Sequence, residues 1–114
     1  MLINFDEIEA VDAPNLNNGI GTVKAKILVD YEGKLIVHII PKNASIGNHT
    51  HNTSAELNYV ISGKGTAIWN GSEEELTEGI CHYCPKKTSH SIVNTGSDDL
   101  VLLTIVVEES CSIL

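Results

Sequence analysis

The sequence predicts an all-β fold, an antiparallel double-sheet sandwich or barrel, and three observations carry that prediction. β-branched and apolar runs of strand length recur along most of the chain. Gly, Asn, Asp and Pro clusters separate them about every eight to twelve residues, the spacing of short strands joined by turns. No stretch shows the sustained apolar spacing of a long amphipathic helix.

The elements follow in order. Residues Val23 to Val29 begin with apolar–polar alternation and read as a half-buried strand, and Asp30-Tyr31-Glu32-Gly33 reads as a turn. Leu35 to Ile40 is a β-branched strand stopped by Pro41. Leu57 to Ile61 is a third strand, and Ser62-Gly63-Lys64-Gly65 turns the chain into Thr66 to Trp69. Asn70-Gly71 is a strong hairpin signal, because a type I′ turn needs positive φ at both central positions. The return strand runs through about Leu76 and ends at the Glu78-Gly79 turn. Ile80 to Cys84 is a short strand stopped by Pro85, and Ser89 to Asn94 follows. After Thr95 to Asp99, the run Leu100 to Val107 is apolar on both faces and reads as a central strand. Residues 1–21 are less regular, with Asp12 to Asn18 read as a surface loop.

A chain of 114 residues without repeat, linker or low-complexity stretch is expected to form a single domain over 1–114. The N-terminus has no basic region followed by an apolar one, so it does not read as a secretory signal, and no apolar run approaches the roughly 18 residues of a membrane span. Three cysteines are too few and too odd for a disulfide framework and fit a reducing, cytoplasmic setting. The net charge is −8, and all seven basic residues are lysine. That balance speaks against a nucleic-acid or membrane-surface partner and removes the bidentate arginine clamp for anions. A small anionic ligand would need lysine, backbone N–H groups or a metal.

Histidine placement is the most informative feature. His49 and His51 are two apart, so on a strand both imidazoles point to one side. Glu56 follows beyond the Asn52-Thr53-Ser54 turn and can return on the neighbouring strand, and His90 lies on a later one. Three imidazoles and a carboxylate suit one divalent transition metal, such as Mn, Fe, Ni, Cu or Zn. Bound octahedrally, such an ion would keep two positions open.

At these residues the chain resembles the cupin superfamily. The first cupin motif is similar to His-x-His, three or four residues, Glu, six residues, Gly. Here it reads His49, His51, Glu56 and Gly63. The second is similar to Gly, five residues, Pro-x-Gly, two residues, His, three residues, Asn, and here reads Gly79, Pro85, His90 and Asn94. Together they occupy 43–94, with 15 residues between Gly63 and Gly79. Asn43 stands where the first motif opens with Gly, and Lys87 stands where the second has its Gly after Pro-x. Asn tolerates positive φ, whereas Lys87 suggests a different turn before His90 and a cation near the barrel mouth. The resemblance implies a small, RmlC-like, double-sheet jelly-roll barrel with the metal on His49, His51, Glu56 and His90, Glu56 being a possible base. It also implies a small-molecule pocket inside the barrel, with Asn58, Val60 and Ile92 facing it, and a homodimer.

The remaining candidates read more plainly. His82 is expected beside the pocket or on the outer face, and His38 to be packed or hydrogen-bonded. Cys81 and Cys84 imitate a redox pair, but residues three apart on a strand face opposite sides, so both read as small buried residues. Glu73-Glu74-Glu75 reads as a solvated hairpin edge and Lys86-Lys87 as a solvated turn. Two function classes fit. One is a metal-dependent enzyme, dioxygenase-like or isomerase-like, acting on a small oxygen-bearing molecule, with the missing arginine disfavouring sugar phosphates. The other is a non-catalytic ligand-binding or sensor cupin; a storage role suits so small a chain least.

Overall fold

A computed structural model describes residues 1–30 and 33–108. Tyr31 and Glu32 of the first turn and Cys111 lie outside the described residues. Among these residues there are ten strands: β1 Val11–Pro14, β2 Thr22–Asp30, β3 Gly33–Ile40, β4 Ser45–Thr50, β5 Ser54–Ser62, β6 Gly65–Trp69, β7 Ser72–Leu76, β8 Cys81–Cys84, β9 Ser89–Asn94 and β10 Leu100–Glu108. They form a double-sheet antiparallel jelly roll. One sheet has the order β1-β2-β3-β10-β5-β8 and the other β4-β9-β6-β7. Hydrogen bonding runs within each sheet, and the barrel is completed by packing of the two inner faces. Among the described residues no helix is long and apolar enough to cross a membrane.

Alternation places the core. Along β3, β5, β9 and β10 every second residue is buried. Val23, Ile40, Val60, Leu100 and Leu102 from the six-stranded sheet meet Ile46, Ala67, Leu76 and Ile92 from the other. Each fully buried aliphatic side chain here contributes about 1.5–3 kcal/mol relative to an exposed one. β10 is central, flanked by β3 and β5, as its two apolar faces predict.

Three local readings differ from the sequence expectation. Part of the irregular N-terminal segment is strand: β1 pairs antiparallel with β2 from Val11 opposite Ala25 to Pro14 opposite Thr22. The turn that follows is built by Asn15, Asn17 and Asn18, all at left-handed φ, which Asn accepts more readily than most residues. β5 begins at Ser54 rather than Leu57. Lys87 adopts φ +69, so the turn before His90 keeps the left-handed conformation that Gly would supply, with lysine bearing the strain. Asn43, at φ +66, does the same without difficulty.

Candidate metal centre

The site sits at one end of the jelly roll, on the inner faces of β4, β5 and β9. β9 directs His90, Ile92 and Asn94 inward by alternation. β4 cannot do this unaided, because Ile46 and His49 are an odd number of residues apart and a regular strand would put them on opposite faces. A bulge resolves the conflict. Ile46 lies opposite Ile92 and His49 opposite His90, so β4 carries one more residue than β9 over that interval. The shifted register turns His49 and His51 inward below Ile46. Gly47 lies in this bulge, and its backbone passes so close to the preceding turn that a Cβ would fall 2.0 Å from the carbonyl oxygen of Asn17.

The four side chains converge. Nε2 of His49 lies 3.0 Å from Nε2 of His51 and 3.1 Å from that of His90, and the His51–His90 distance is 3.3 Å. Glu56 closes the group, with Oε2 2.7 Å from His51 Nε2 and Oε1 3.4 Å from His90 Nε2. Glu56 and His90 are buried, and His49 and His51 half-buried. Around an ion with bonds of about 2.1 Å, neighbouring ligand nitrogens stand about 3.0 Å apart in octahedral and about 3.4 Å in tetrahedral geometry. The observed triangle falls in that interval, so the donor set fits a divalent transition metal by spacing and by chemistry.

Hydrogen bonds fix how these groups present themselves. The carbonyl oxygen of Gly47 accepts from His49 Nδ1 at 2.8 Å, which leaves the Nε2 lone pair facing the centre. Asn58 donates Nδ2 to Glu56 Oε1 at 2.8 Å. Its Oδ1 accepts from the Thr104 hydroxyl at 2.6 Å, and Thr104 Oγ1 in turn lies 2.8 Å from His38 Nδ1. Because a carboxylate only accepts, the direction of the whole chain is set from Glu56: His38 carries its proton on Nδ1 and holds an Nε2 lone pair. Burial raises the Glu56 carboxyl, but hydrogen bonds from His51 and Asn58 and the charges of His90 and His51 outweigh it, bringing it down to about 2. Burial lowers His90 to about 4 against the pull of Glu56, and lowers His38 as well.

His49, His51, Glu56 and His90 are thus brought together as their spacing predicts, and Asn58, Val60 and Ile92 are buried on the inner faces. The other residues divide. His82 lies on the inner face of β8, against His90, and Glu74 is bonded to it, so Glu74 is not merely part of a solvated edge. Cys81 and Cys84 face opposite ways and are both free, as expected, but only Cys84 is buried. Asn94 has a structural role: Nδ2 donates to the carbonyls of Ile40 and Asp98, and Oδ1 accepts from Gly96 N, pinning the loop after β9. A surface hollow of about 830 Å³ lies at the far end of the sheets, bordered by Ser62, Lys64, Asp98 and Asp99, and includes none of the convergent residues.

Comparison with known proteins agrees with this architecture. The chain is 28% identical over 113 residues to a Thermotoga maritima protein named as oxalate-binding, covering 94% of this chain and 93% of that one. A crystal structure of a predicted oxalate decarboxylase from Thermotoga maritima superposes with a TM-score of 0.91 at 26% identity, covering 95% of this chain and 99% of that one. An RmlC-like cupin from Shewanella frigidimarina shares the fold, with a TM-score of 0.74 at 20% identity and coverage of 92% and 88%. The Cupin domain family matches residues 35–106, well over half of the sequence, and the chain belongs to that family.

Proposed function

We propose that the chain holds one divalent transition metal on His49, His51, Glu56 and His90 and uses it to bind a small oxygen-bearing anion between the two sheets. The observation that carries this reading is the triangle of Nε2 atoms closed by the Glu56 carboxylate. A divalent ion in that position supplies positive charge and Lewis acidity. Three neutral imidazoles and one carboxylate leave the centre net positive, in a chain of net charge −8 that has no arginine. A metal is therefore a better anion anchor here than any side chain. A small carboxylate such as oxalate is the preferred occupant, supported by the Thermotoga maritima relative named for oxalate binding.

Glu56 serves this reading as a ligand, not as a base. A carboxyl held down at about 2 accepts protons poorly near neutral pH. A second reading, in which the bound molecule is turned over by dioxygenase-like or isomerase-like chemistry, is favoured by His38. Its Nδ1 is committed to Thr104, while among the described residues no hydrogen bond engages Nε2. No buried side-chain nitrogen or oxygen among the described residues lacks a partner, so that Nε2 is open to solvent or a ligand. A neutral imidazole so held can accept a proton from a molecule beside it.

The test is calorimetric titration of metal-loaded protein with oxalate, malonate and acetate, alongside metal analysis and the His51→Ala variant. Oxalate binding that disappears on chelation and in His51→Ala supports the reading. Binding indifferent to both overturns it.

A further inference from the structure

The strongest feature outside the four convergent residues is a line of three side chains running from the surface to His90. Glu74, on the edge strand β7, has a half-exposed carboxylate whose Oε1 lies 2.7 Å from Nδ1 of His82. The His82 side chain is fully buried on β8, and its Nε2 lies 2.9 Å from Nδ1 of His90, also fully buried. The rings are inclined by 24° and their centroids lie 5.2 Å apart, about as far as the 2.9 Å nitrogen contact allows, so the two rings meet edge to edge through these nitrogens and are not stacked face to face. A single carboxylate again sets the direction. It can only accept, so His82 carries its proton on Nδ1, and the Nε2 lone pair of neutral His82 accepts from His90 Nδ1–H. That leaves the His90 Nε2 lone pair facing His49, His51 and Glu56.

We propose that Glu74 and His82 are positioning residues for the metal centre: they lock His90 in the tautomer and ring orientation that a metal requires. The proposal rests on the metal reading above. His82 is not a defining residue of either cupin motif, falling among the five variable residues between Gly79 and Pro85, and β7 and β8 lie in different sheets, so the line also ties one sheet to the other beside the site. His49 is fixed in the same sense by the carbonyl of Gly47. Outer partners of metal-bound histidines raise ligand basicity and fix orientation, and their loss commonly costs about 10- to 100-fold in metal affinity.

The experiment measures cobalt(II) affinity by chelator competition, together with the visible bands of the bound ion, for wild type, His82→Leu, His82→Gln and Glu74→Ala. His82→Leu is expected to weaken cobalt binding by about 10- to 100-fold with all four ligands present. His82→Gln, whose amide oxygen can accept from His90 Nδ1–H, should recover most of that loss. Glu74→Ala should weaken binding less than His82→Leu does. A change in folding stability alone would not follow this order. Unchanged cobalt affinity in His82→Leu overturns the proposal while leaving the metal centre intact. Absence of cobalt binding by wild type sinks the metal reading and the proposal with it. Should His82→Leu fail to fold, nitrogen NMR of zinc-loaded wild type decides the matter. Scalar coupling from His90 Nδ1–H to His82 Nε2 is the expected result, and a proton on His82 Nε2 overturns it.

Discussion

His49 and His90 lie directly opposite each other across β4 and β9, with their Nε2 atoms 3.1 Å apart. These two nitrogens, that of His51 at similar range and the Glu56 carboxylate bring four potential ligand atoms toward one point. Purified without chelator, the protein is expected to carry about one divalent transition metal per chain. His51→Ala removes one donor and the 2.7 Å contact with Glu56, and leaves the packed core untouched. Elemental analysis should show most of the metal lost, while circular dichroism shows the strand content kept. Full occupancy in the variant would contradict the assignment.

Gly47→Ala tests the bulge that aims His49. The added methyl would meet the Asn17 carbonyl at 2.0 Å and the backbone nitrogen of Gly19 at 2.7 Å, both main-chain atoms with little freedom to yield. Overpacking of this kind costs typically about 1–3 kcal/mol. Since Gly47 also supplies the carbonyl that holds His49, the variant should melt earlier and bind metal more weakly than a core substitution of equal cost remote from β4. Thermal denaturation with and without zinc separates the two effects. Equal zinc-induced stabilisation in both variants would refute the link.

The contrast between β9 and β4 explains what could be read from the sequence. The inward set His90, Ile92 and Asn94 follows from alternation, and the ligand group follows from motif spacing. The bulge at Gly47 does not, because no local signal distinguishes a glycine that bulges a strand from one in a turn, and the reason for it is a backbone from residues 17–19. The side that His82 faces is hidden for a similar reason. Parity on a four-residue strand allows either face, and the inward choice gains its partners from the other sheet, Glu74 of β7 and His90 of β9. Lys87 shows the opposite case, in which a motif residue changes while the backbone conformation it marks persists.

Two copies are expected to associate through the outer face of the six-stranded sheet. Tyr59 and Ile61 of β5 and Tyr83 of β8 are each 44–48% exposed, beside the outward, half-buried Leu57, Leu103 and Ile105. This strip bears no charge in a chain of net charge −8, so it is where like-charged copies meet with least repulsion. Closed two-fold pairing is the commonest arrangement for such a face. Sedimentation at micromolar concentration should report a dimer, and Tyr59→Glu, which places a charge in the strip, should shift it to monomer. A wild-type monomer would rule the interface out.

Acid should destabilise the metal-free protein in two overlapping steps. His90 is lowered from 6.5 to about 4, first by burial and then by its histidine neighbours, with Glu56 opposing. Between those values the unfolded chain binds the proton and the folded chain does not, so stability rises with pH there and falls as pH drops from 6.5 toward 4. His38, lowered by burial, acts in the same direction. Glu56 is lowered from 4.5 to about 2, so its contribution is complete above 4.5 and is lost as pH falls through that interval. Both steps have one sign, and the melting temperature of chelator-treated protein should decline continuously from pH 6.5 downward. Bound metal competes with protons for the same nitrogens, so the loaded protein should hold its melting temperature to lower pH and then lose it over a narrower range as the ion is released. A metal-free melting temperature that stays level between pH 6.5 and 4 would show that His90 is not held neutral by the fold.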